Sequence, residues 1–307
     1  MNRNQNALPR AVEYEFDESV KLSATEQIIE FYDEATIDYE HWSKNCNMHL
    51  GFYRWGINPF DREKMLEQLN LEIGARLKIS QKEKTILIDL GCGVGAVSRT
   101  IAKNYSKTEI KGVTLVQSQI ETGTKLNIEA NLQRQIELLS GDYSALPFAD
   151  GFADGAWAVE SACYANGADK ENLVIEMARV LKKGGRFLIA DCFIKQPEKE
   201  FNFLCKRLYP AICRNWILPE MFGLNCFVAT LEKHGFQDIL VEDISWRVAP
   251  SVAHAPFAIF SFIIKKFLAG EKLKPQSIKN LKASLLTVPL GLNRAKFSYC
   301  LISGKRG

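Results

Sequence analysis

The sequence predicts an α/β fold, in which a mostly parallel, doubly wound sheet of seven strands carries an N-terminal helical flap and helical cap insertions. Two observations lead there. From Thr85 onward, strand-like apolar runs alternate with amphipathic helical stretches, the pattern of βαβ units. The first run, Thr85-Ile86-Leu87-Ile88-Asp89-Leu90, suits a strand buried on both faces and passes directly into Gly91-Cys92-Gly93-Val94-Gly95. Glycines so closely spaced let the backbone turn tightly and approach a ligand before the next helix. In an open α/β sheet, ligands bind at this carboxyl edge.

At 307 residues, 47% hydrophobic and 24% charged, the chain buries a full core as one soluble domain with elaborations. A net charge of +3 is too small to imply nucleic acid as a partner. The charge is uneven, with ten Lys/Arg against the single acid Glu271 from Lys265 to the end. The eight cysteines show no C-x-x-C or Cys/His spacing, so no metal is expected and the chain reads as a reduced, cytoplasmic protein. The first ten residues are polar, without a signal core. The longest apolar run, residues 255–264, is too short to span a bilayer.

In order, residues 1–22 read as loosely held. A helix begins at Ser23, where Ser23-Ala24-Thr25-Glu26 has the capping-box form and Ile28, Ile29, Phe31, Tyr32 and Ala35 follow at helical spacing. An aromatic and histidine-bearing stretch, residues 39–53, completes a flap over residues 1–58. A second helix starts at Asn58-Pro59, with Asp61 in its first turn and Met65, Leu66, Leu69 and Leu77 on one face. The core, residues 59–195, holds strands at 85–90, 110–115, 136–140, 155–159 and 186–191, with helices at 94–104, 117–132 and 170–182. Lys183-Gly184-Gly185 stops the last helix. An aromatic-rich cap insertion, 196–226, precedes a core continuation at 227–246 with a helix at 227–234 and a strand at 239–244. A helical cap insertion, 247–292, precedes the last strand, 297–303, within the final segment 293–307.

The residues after each strand are those that meet a ligand. Asp89 either holds the turn or accepts from a ligand ammonium. A dinucleotide loop would read G-x-G-x-x-G, with a carboxylate after the second strand. Here the glycines run G-x-G-x-G and the second strand ends in Thr114-Leu115-Val116-Gln117, which disfavours nicotinamide cofactors. Thr114, Leu115 and Gln119 offer hydroxyl, backbone and amide groups to a ribose instead. After the third strand, Asp142 is either a turn residue or an acceptor for an exocyclic adenine amine, with the Tyr143 amide reaching a ring nitrogen. The fourth strand ends at Glu160, with Tyr164 four residues on. A desolvated Glu160 would have a raised pKa suited to a base, and a salt-bridged structural acid is the other reading.

Asp89 with Gly91, Gly93 and Gly95 resembles motif I of the class I S-adenosylmethionine-dependent methyltransferases, which are Rossmann-like. Gly112-Val113-Thr114-Leu115 with Gln119, Leu146-Pro147-Phe148-Ala149-Asp150 with Phe152, and the run from Trp157 to Ser161 look like the lipid-directed branch of that family, which holds the sterol and tocopherol methyltransferases. Tyr32-Asp33 and Met48-His49-Leu50-Gly51-Phe52-Tyr53 resemble that branch's N-terminal flap. Leu218-Pro219-Glu220 and Val248-Ala249-Pro250 are similar to the tocopherol enzymes. The similarity runs from Tyr32 to the end. It implies S-adenosylmethionine as cofactor, bound through Asp89, Gly91, Gly93, Gly95, Thr114, Leu115, Gln119, Asp142, Tyr143, Glu160 and Tyr32. It implies catalytic roles for Glu160, Tyr164 and His49. Two departures fall on the substrate side: many relatives have a histidine where Tyr164 stands, and the tocopherol enzymes have two adjacent histidines where this chain has His49-Leu50.

Methyl transfer asks the protein to position a nucleophile and to discard a proton. With an alkene as nucleophile a cation forms, which the faces of Tyr39, Trp42, Trp157 and Tyr164 could stabilise while Glu160 takes the proton. The expectation is a methyltransferase for a hydrophobic small molecule of prenyl-lipid, sterol or terpenoid type, acting at carbon. The rivals are an O- or N-methyltransferase of natural products and a non-catalytic cofactor- or lipid-binding module. Residues 255–274, apolar with a basic edge, read either as a buried cap helix or as a peripheral membrane contact. Oligomeric state, including a homo-oligomer, stays open.

Overall fold

The computed structural model describes residues 22–307, with nothing described of the side chains of residues 37–40. The expectation for residues 1–21, and the cation-facing role expected of the Tyr39 ring, lie outside the described residues. Helix α1 (Ala24–Trp42) opens on a reciprocal cap. The Ser23 N–H donates to the Glu26 carboxylate (2.7 Å), and the Glu26 N–H donates back to the Ser23 hydroxyl (3.2 Å). The helix α2 (Arg62–Arg76) starts later than the Asn58-Pro59 signal suggested. Asp61 is its N-cap and not a first-turn residue, because its carboxylate accepts from the Lys64 N–H at 3.1 Å.

The sheet and its covering helices follow in order: β1 (Thr85–Leu90), α3 (Ala96–Asn104), β2 (Thr108–Thr114), α4 (Gln117–Glu129), β3 (Ile136–Ser140), β4 (Ala153–Val159), α5 (Glu171–Val180) and β5 (Leu181–Ile194). Then come α6 (Phe203–Trp216), β6 (Phe222–Gly223), α7 (Leu224–Lys233), β7 (Phe236–Asp243), α8 (Ser245–Ala253), α9 (Ala255–Leu268), α10 (Pro275–Gly291) and β8 (Phe297–Arg306). The strand order is β3-β2-β1-β4-β5-β8-β7, with β8 antiparallel to both its neighbours. Seven strands were expected; an eighth, β6, pairs Phe222 with Phe193 of β5. At two residues it is too short to show a period in sequence. Strand β5 also begins five residues early, since Leu181 pairs with Ala153 before the register shifts, so Lys183-Gly184-Gly185 lies within a bulged strand instead of separating helix from strand.

Alternation along β5 divides the core. Phe187, Ile189 and Phe193 pack with Met177 of α5 and Phe227 of α7 on one face. Leu188 and Ala190 pack with Leu69 and Ile73 of α2 and Ile101 of α3 on the other. Trp157 is fully buried in this second cluster, opposite Asp89 in the β1–β4 register. It is a core residue and lines neither of the two cavities at the carboxyl edge of the sheet, against the expectation that its ring meets a cation. The parity of a strand buried on both faces does not reveal which way an aromatic points.

The apolar run 255–264 is not isolated either. It belongs to a 24-residue helical stretch, Ser245–Leu268, long and apolar enough to cross a membrane by length and composition alone. That stretch is α8 and α9 end to end. Its Val248, Ser251, Ile259 and Phe262 are buried in the protein.

Candidate functional site

Two cavities meet at the carboxyl edge of β1 and β4. The first, of about 110 Å³, is lined by Asp89, Gly91, Gly93, Thr114, Leu115, Gln119, Gly141 and Tyr143, with Ile28 and Tyr32 of α1 above them. The second is roughly four times larger, at about 430 Å³, and is walled by α1, α6, α8, α9, α10 and the start of β8. Five side chains line both: Tyr32, Met48, His49, Glu160 and Tyr164. A group that must act on two ligands at once belongs among these five.

The glycine turn is fitted closely to what lies beneath it. Gly91 (φ 75°) follows β1, and a Cβ there would collide with the Ser161 side chain, 2.9 Å from its Oγ. Ser161 is held in place by donating to the Leu90 carbonyl at 2.5 Å. At Gly93 (φ 53°) a Cβ would press on the Met48 sulfur at 3.1 Å. Gly95 stands outside the cavity wall; with φ 76° it caps the entrance to α3 through backbone conformation.

Asp89 is buried and accepts from the Ser98 hydroxyl at 2.6 Å, while burial pushes its pKa up to about 7. It thus holds the turn and also borders the first cavity. Thr114 donates to the Gln119 side chain at 2.8 Å, and the Gln119 amide in turn donates to Thr36 of α1 at 3.3 Å. Asp142 is exposed beside the cavity, between Gly141 and Tyr143 of its wall. Its carboxylate accepts from the amide (2.8 Å) and hydroxyl (2.6 Å) of Ser144. The Tyr143 hydroxyl donates to the Ser161 carbonyl at 3.0 Å.

Glu160 sits at the junction in a left-handed backbone conformation, φ 48°, rare for a side-chain-bearing residue and costly by about 1 kcal/mol or more. Its N–H nevertheless continues the ladder, donating to the Ala190 carbonyl at 2.9 Å. Its Oε1 accepts from the Leu50 N–H (2.7 Å) and the Tyr299 hydroxyl (2.8 Å). Desolvation pushes its pKa up to about 7, opposed by those donors and by the Arg62 charge. Beside it Asp191, at the matching position of β5, is buried with a pKa pushed up to about 6 and accepts from the N–H groups of Cys163 (3.2 Å) and Cys192 (2.8 Å). His49 is also buried, and burial pulls its pKa down to about 4, so the ring is neutral at physiological pH. Its Nδ1–H donates to the Leu50 carbonyl at 2.8 Å, and Nε2 lies 3.2 Å from Asn47 Oδ1. His49 and Glu160 therefore grip the two ends of Leu50. Tyr32 donates to the Tyr164 hydroxyl at 2.8 Å, which donates to the Trp216 carbonyl at 3.1 Å, tying α1, the turn after β4 and α6 together.

Residues 88–189 match the family model described as "Methyltransferase domain". The chain is 31% identical over 235 residues to a probable chloroplastic tocopherol O-methyltransferase of Oryza sativa, covering 73% of this chain and 63% of that relative. It is 24% identical over 326 residues to the sterol 24-C-methyltransferase of Saccharomyces cerevisiae, covering 95% and 83%. In fold it superimposes on geranyl diphosphate C-methyltransferase from Streptomyces coelicolor, solved with Mg2+, geranyl-S-thiolodiphosphate and S-adenosyl-L-homocysteine, with a TM-score of 0.68 at 15% identity, covering 97% of this chain and 100% of that one. The chain belongs to the class I S-adenosylmethionine-dependent methyltransferases. Its cofactor is S-adenosylmethionine.

This methyltransferase has a first cavity whose chemistry fits that cofactor. A buried carboxylate stands ready for an ammonium, hydroxyl and amide groups for a ribose, and a backbone stripped of Cβ atoms at Gly91 and Gly93 allows close approach. The glycines and Asp89 were legible as a local motif. Tyr299, Arg62 and Asp191 were not, because each reaches the site from a segment remote in sequence; Ser161 and Met48 lay within the quoted runs, but their packing under Gly91 and Gly93 was not legible. The signal that could have found Asp191 is a lone acid within the apolar run of β5, level with Glu160 at the end of β4.

Proposed function

We propose that the protein transfers a methyl group to carbon of an apolar small molecule of prenyl-lipid, sterol or terpenoid type, held in the second cavity, with Glu160 as the base. The observation that carries this reading is the position of Glu160. It lines both cavities, in a strained backbone, with a pKa raised to about 7. S-adenosylmethionine supplies an electrophilic methyl on a sulfonium. The chain's residues orient the acceptor and remove its proton. Trp42 and Tyr164 are aromatic side chains on the wall of the second cavity, a residue type suited to a developing cation. The Leu50 N–H and Tyr299 hydroxyl hold Glu160 Oε1, leaving the carboxylate aimed and able to accept a proton near neutral pH. Neutral His49 fixes Leu50 and so acts on Glu160 through it. Residues 196–226 and 247–292 act as the cap that excludes water.

The same cap supports residence at a membrane surface. On α9, Ala255 and Ala258 line the second cavity while Phe257 (76%), Phe260 (66%) and Phe267 (81%) stand exposed, with Lys265, Lys272 and Lys274 exposed beside them. A wall that is apolar outside and cavity-facing inside suits a cytoplasmic protein that rests on anionic lipid and admits substrate from it.

Incubation with labelled cofactor and a panel of sterols, prenylated phenols and isoprenoids should put label into one apolar compound, at carbon. Label in a hydroxyl or amine of a polar natural product would replace this reading. Flotation with anionic but not neutral vesicles tests the membrane contact, and its absence from both would reject that part alone.

A further inference from the structure

Among the described residues, the wall of the second cavity holds one arginine that makes no direct ion pair. Among the described residues, the other arginine on its wall, Arg294, is paired with Asp243 at 2.7 Å. The nearby Lys170 is spent on the carbonyls of Cys163, Ala165 and Glu220. Arg62, at the first turn of α2, lines the same cavity and donates to the Trp42 carbonyl, with no carboxylate within 4 Å among the described residues. Its neighbour Glu63 accepts from the Ser43 hydroxyl (3.0 Å) and the Lys44 N–H (3.1 Å), so its charge and that of Glu160 reach Arg62 without a direct ion pair. Arg62 shares the wall of the second cavity with Glu160 and His49, the residues that also line the first, and its charge is felt at both. A guanidinium has five N–H donors, and the half-buried Arg62 uses one on the Trp42 carbonyl, leaving the others open to a ligand in the cavity.

We propose that Arg62 receives a single oxyanion, a carboxylate or an ionised phenol, carried at the reacting end of an otherwise apolar substrate. This rests on the methyl-transfer reading above and names the head group of its acceptor. Charge matching separates it from a diphosphate, which bears about three negative charges and needs a metal or several cations. Among the described residues no cluster of three or more His, Cys, Asp or Glu side chains could hold a metal there, and Glu160 and Asp191 would repel a polyanion. With a phenol as acceptor the proton balance is simple. The O–H proton passes to the Glu160 carboxylate and on to solvent, leaving the electron pair on the phenolate with Arg62 as counter-ion. A ring carbon then gains the methyl, whose old bonding pair stays with sulfur, and its C–H proton goes to the ionised Glu160 as the ring becomes phenolate again.

The test uses the full chain loaded with S-adenosylhomocysteine and four probes: geranic acid, geraniol, geranyl diphosphate with Mg2+, and 4-octylphenol. Calorimetry should show geranic acid bound at least about tenfold more tightly than geraniol, or 4-octylphenol should develop its phenolate absorption band on binding. Arg62→Met should erase that preference or band, and Arg62→Lys should keep part of it, with S-adenosylhomocysteine affinity unchanged in both. Equal binding of acid and alcohol without a phenolate band, tightest binding of the diphosphate, no binding of any probe, or a preference that survives Arg62→Met would each overturn the proposal. Labelled methyl transfer to a neutral isoprenoid alone would sink the Arg62 reading and leave the proposed function standing. Probe binding that follows Arg62 without transfer to any acceptor would do the reverse.

Discussion

Replacing Glu160 with Gln separates the catalytic use of this side chain from its cost to the fold. The amide keeps an oxygen to accept from the Leu50 N–H and the Tyr299 hydroxyl, so the local geometry survives. What changes is titration. The folded-state pKa is raised from 4.5 to about 7, so the native protein binds a proton that the unfolded chain has already lost between those values. Wild-type stability therefore falls as pH rises from about 4.5 to 7 and levels off above. At 1.36 kcal/mol per pKa unit the full penalty is about 3 kcal/mol, and water in the adjoining cavities screens it to about 2 to 3 kcal/mol. Glutamine does not titrate. Urea unfolding at pH 5 and pH 8 should show the variant gaining on wild type by about 2 kcal/mol between the two, while label transfer falls at least 100-fold and S-adenosylhomocysteine affinity holds. A stability gap that does not change with pH would refute the desolvated state of Glu160, and full activity would refute its role as base.

Other perturbations address the neighbouring parts. Gly91→Ala places a Cβ against Ser161 at φ 75°, and should cost about 2 to 4 kcal/mol of unfolding free energy in a urea titration and abolish calorimetric cofactor binding; a cost below about 1 kcal/mol would mean the turn is loosely packed. Asp89, with its pKa raised to about 7, should make S-adenosylhomocysteine affinity rise with pH through neutrality, because pairing with the ligand ammonium needs the carboxylate; a flat profile between pH 5.5 and 8.5, or one unchanged in Asp89→Asn, would remove that pairing. Tyr299→Phe deletes a donor to ionised Glu160, so the acid limb of the pH–rate profile should move up by roughly one unit, and an unmoved limb would deny that the bond acts on the base.

The sheet was legible in the sequence because each of its cues is local. The run Thr85–Leu90 has the strand's apolar character and its glycines mark where it stops, and both survive in the structure residue for residue. The capping box at Ser23 was equally local. What was hidden depends on pairing. Tyr299 reaches Glu160 only because β8 runs antiparallel beside β5, placing it opposite Cys192. Nothing local marked Arg62, whose lack of a direct ion pair emerges only once Glu63 is seen to bind Ser43 and Lys44. Asp142 and Tyr143 are neighbours in sequence, but only the second lines the cavity, a distinction set by the turn that Ser144 fixes on the Asp142 carboxylate.

The placement of β8 between β5 and β7 also governs the order in which a newly made chain can become competent. The glycine turn, β2 and β3 pair with one another and with β1, within residues 85–140 of a chain that emerges N-terminus first. Glu160 must wait for a hydroxyl 139 positions later, on a strand that inserts between two others already synthesised. At about 5 to 20 residues per second of synthesis, that is an interval of many seconds in which a cofactor loop can exist without an aimed base. Until Tyr299 arrives, the edges of β5 and β7 are unpaired and the large apolar cavity lacks one wall, so this interval is when the chain is most exposed to aggregation.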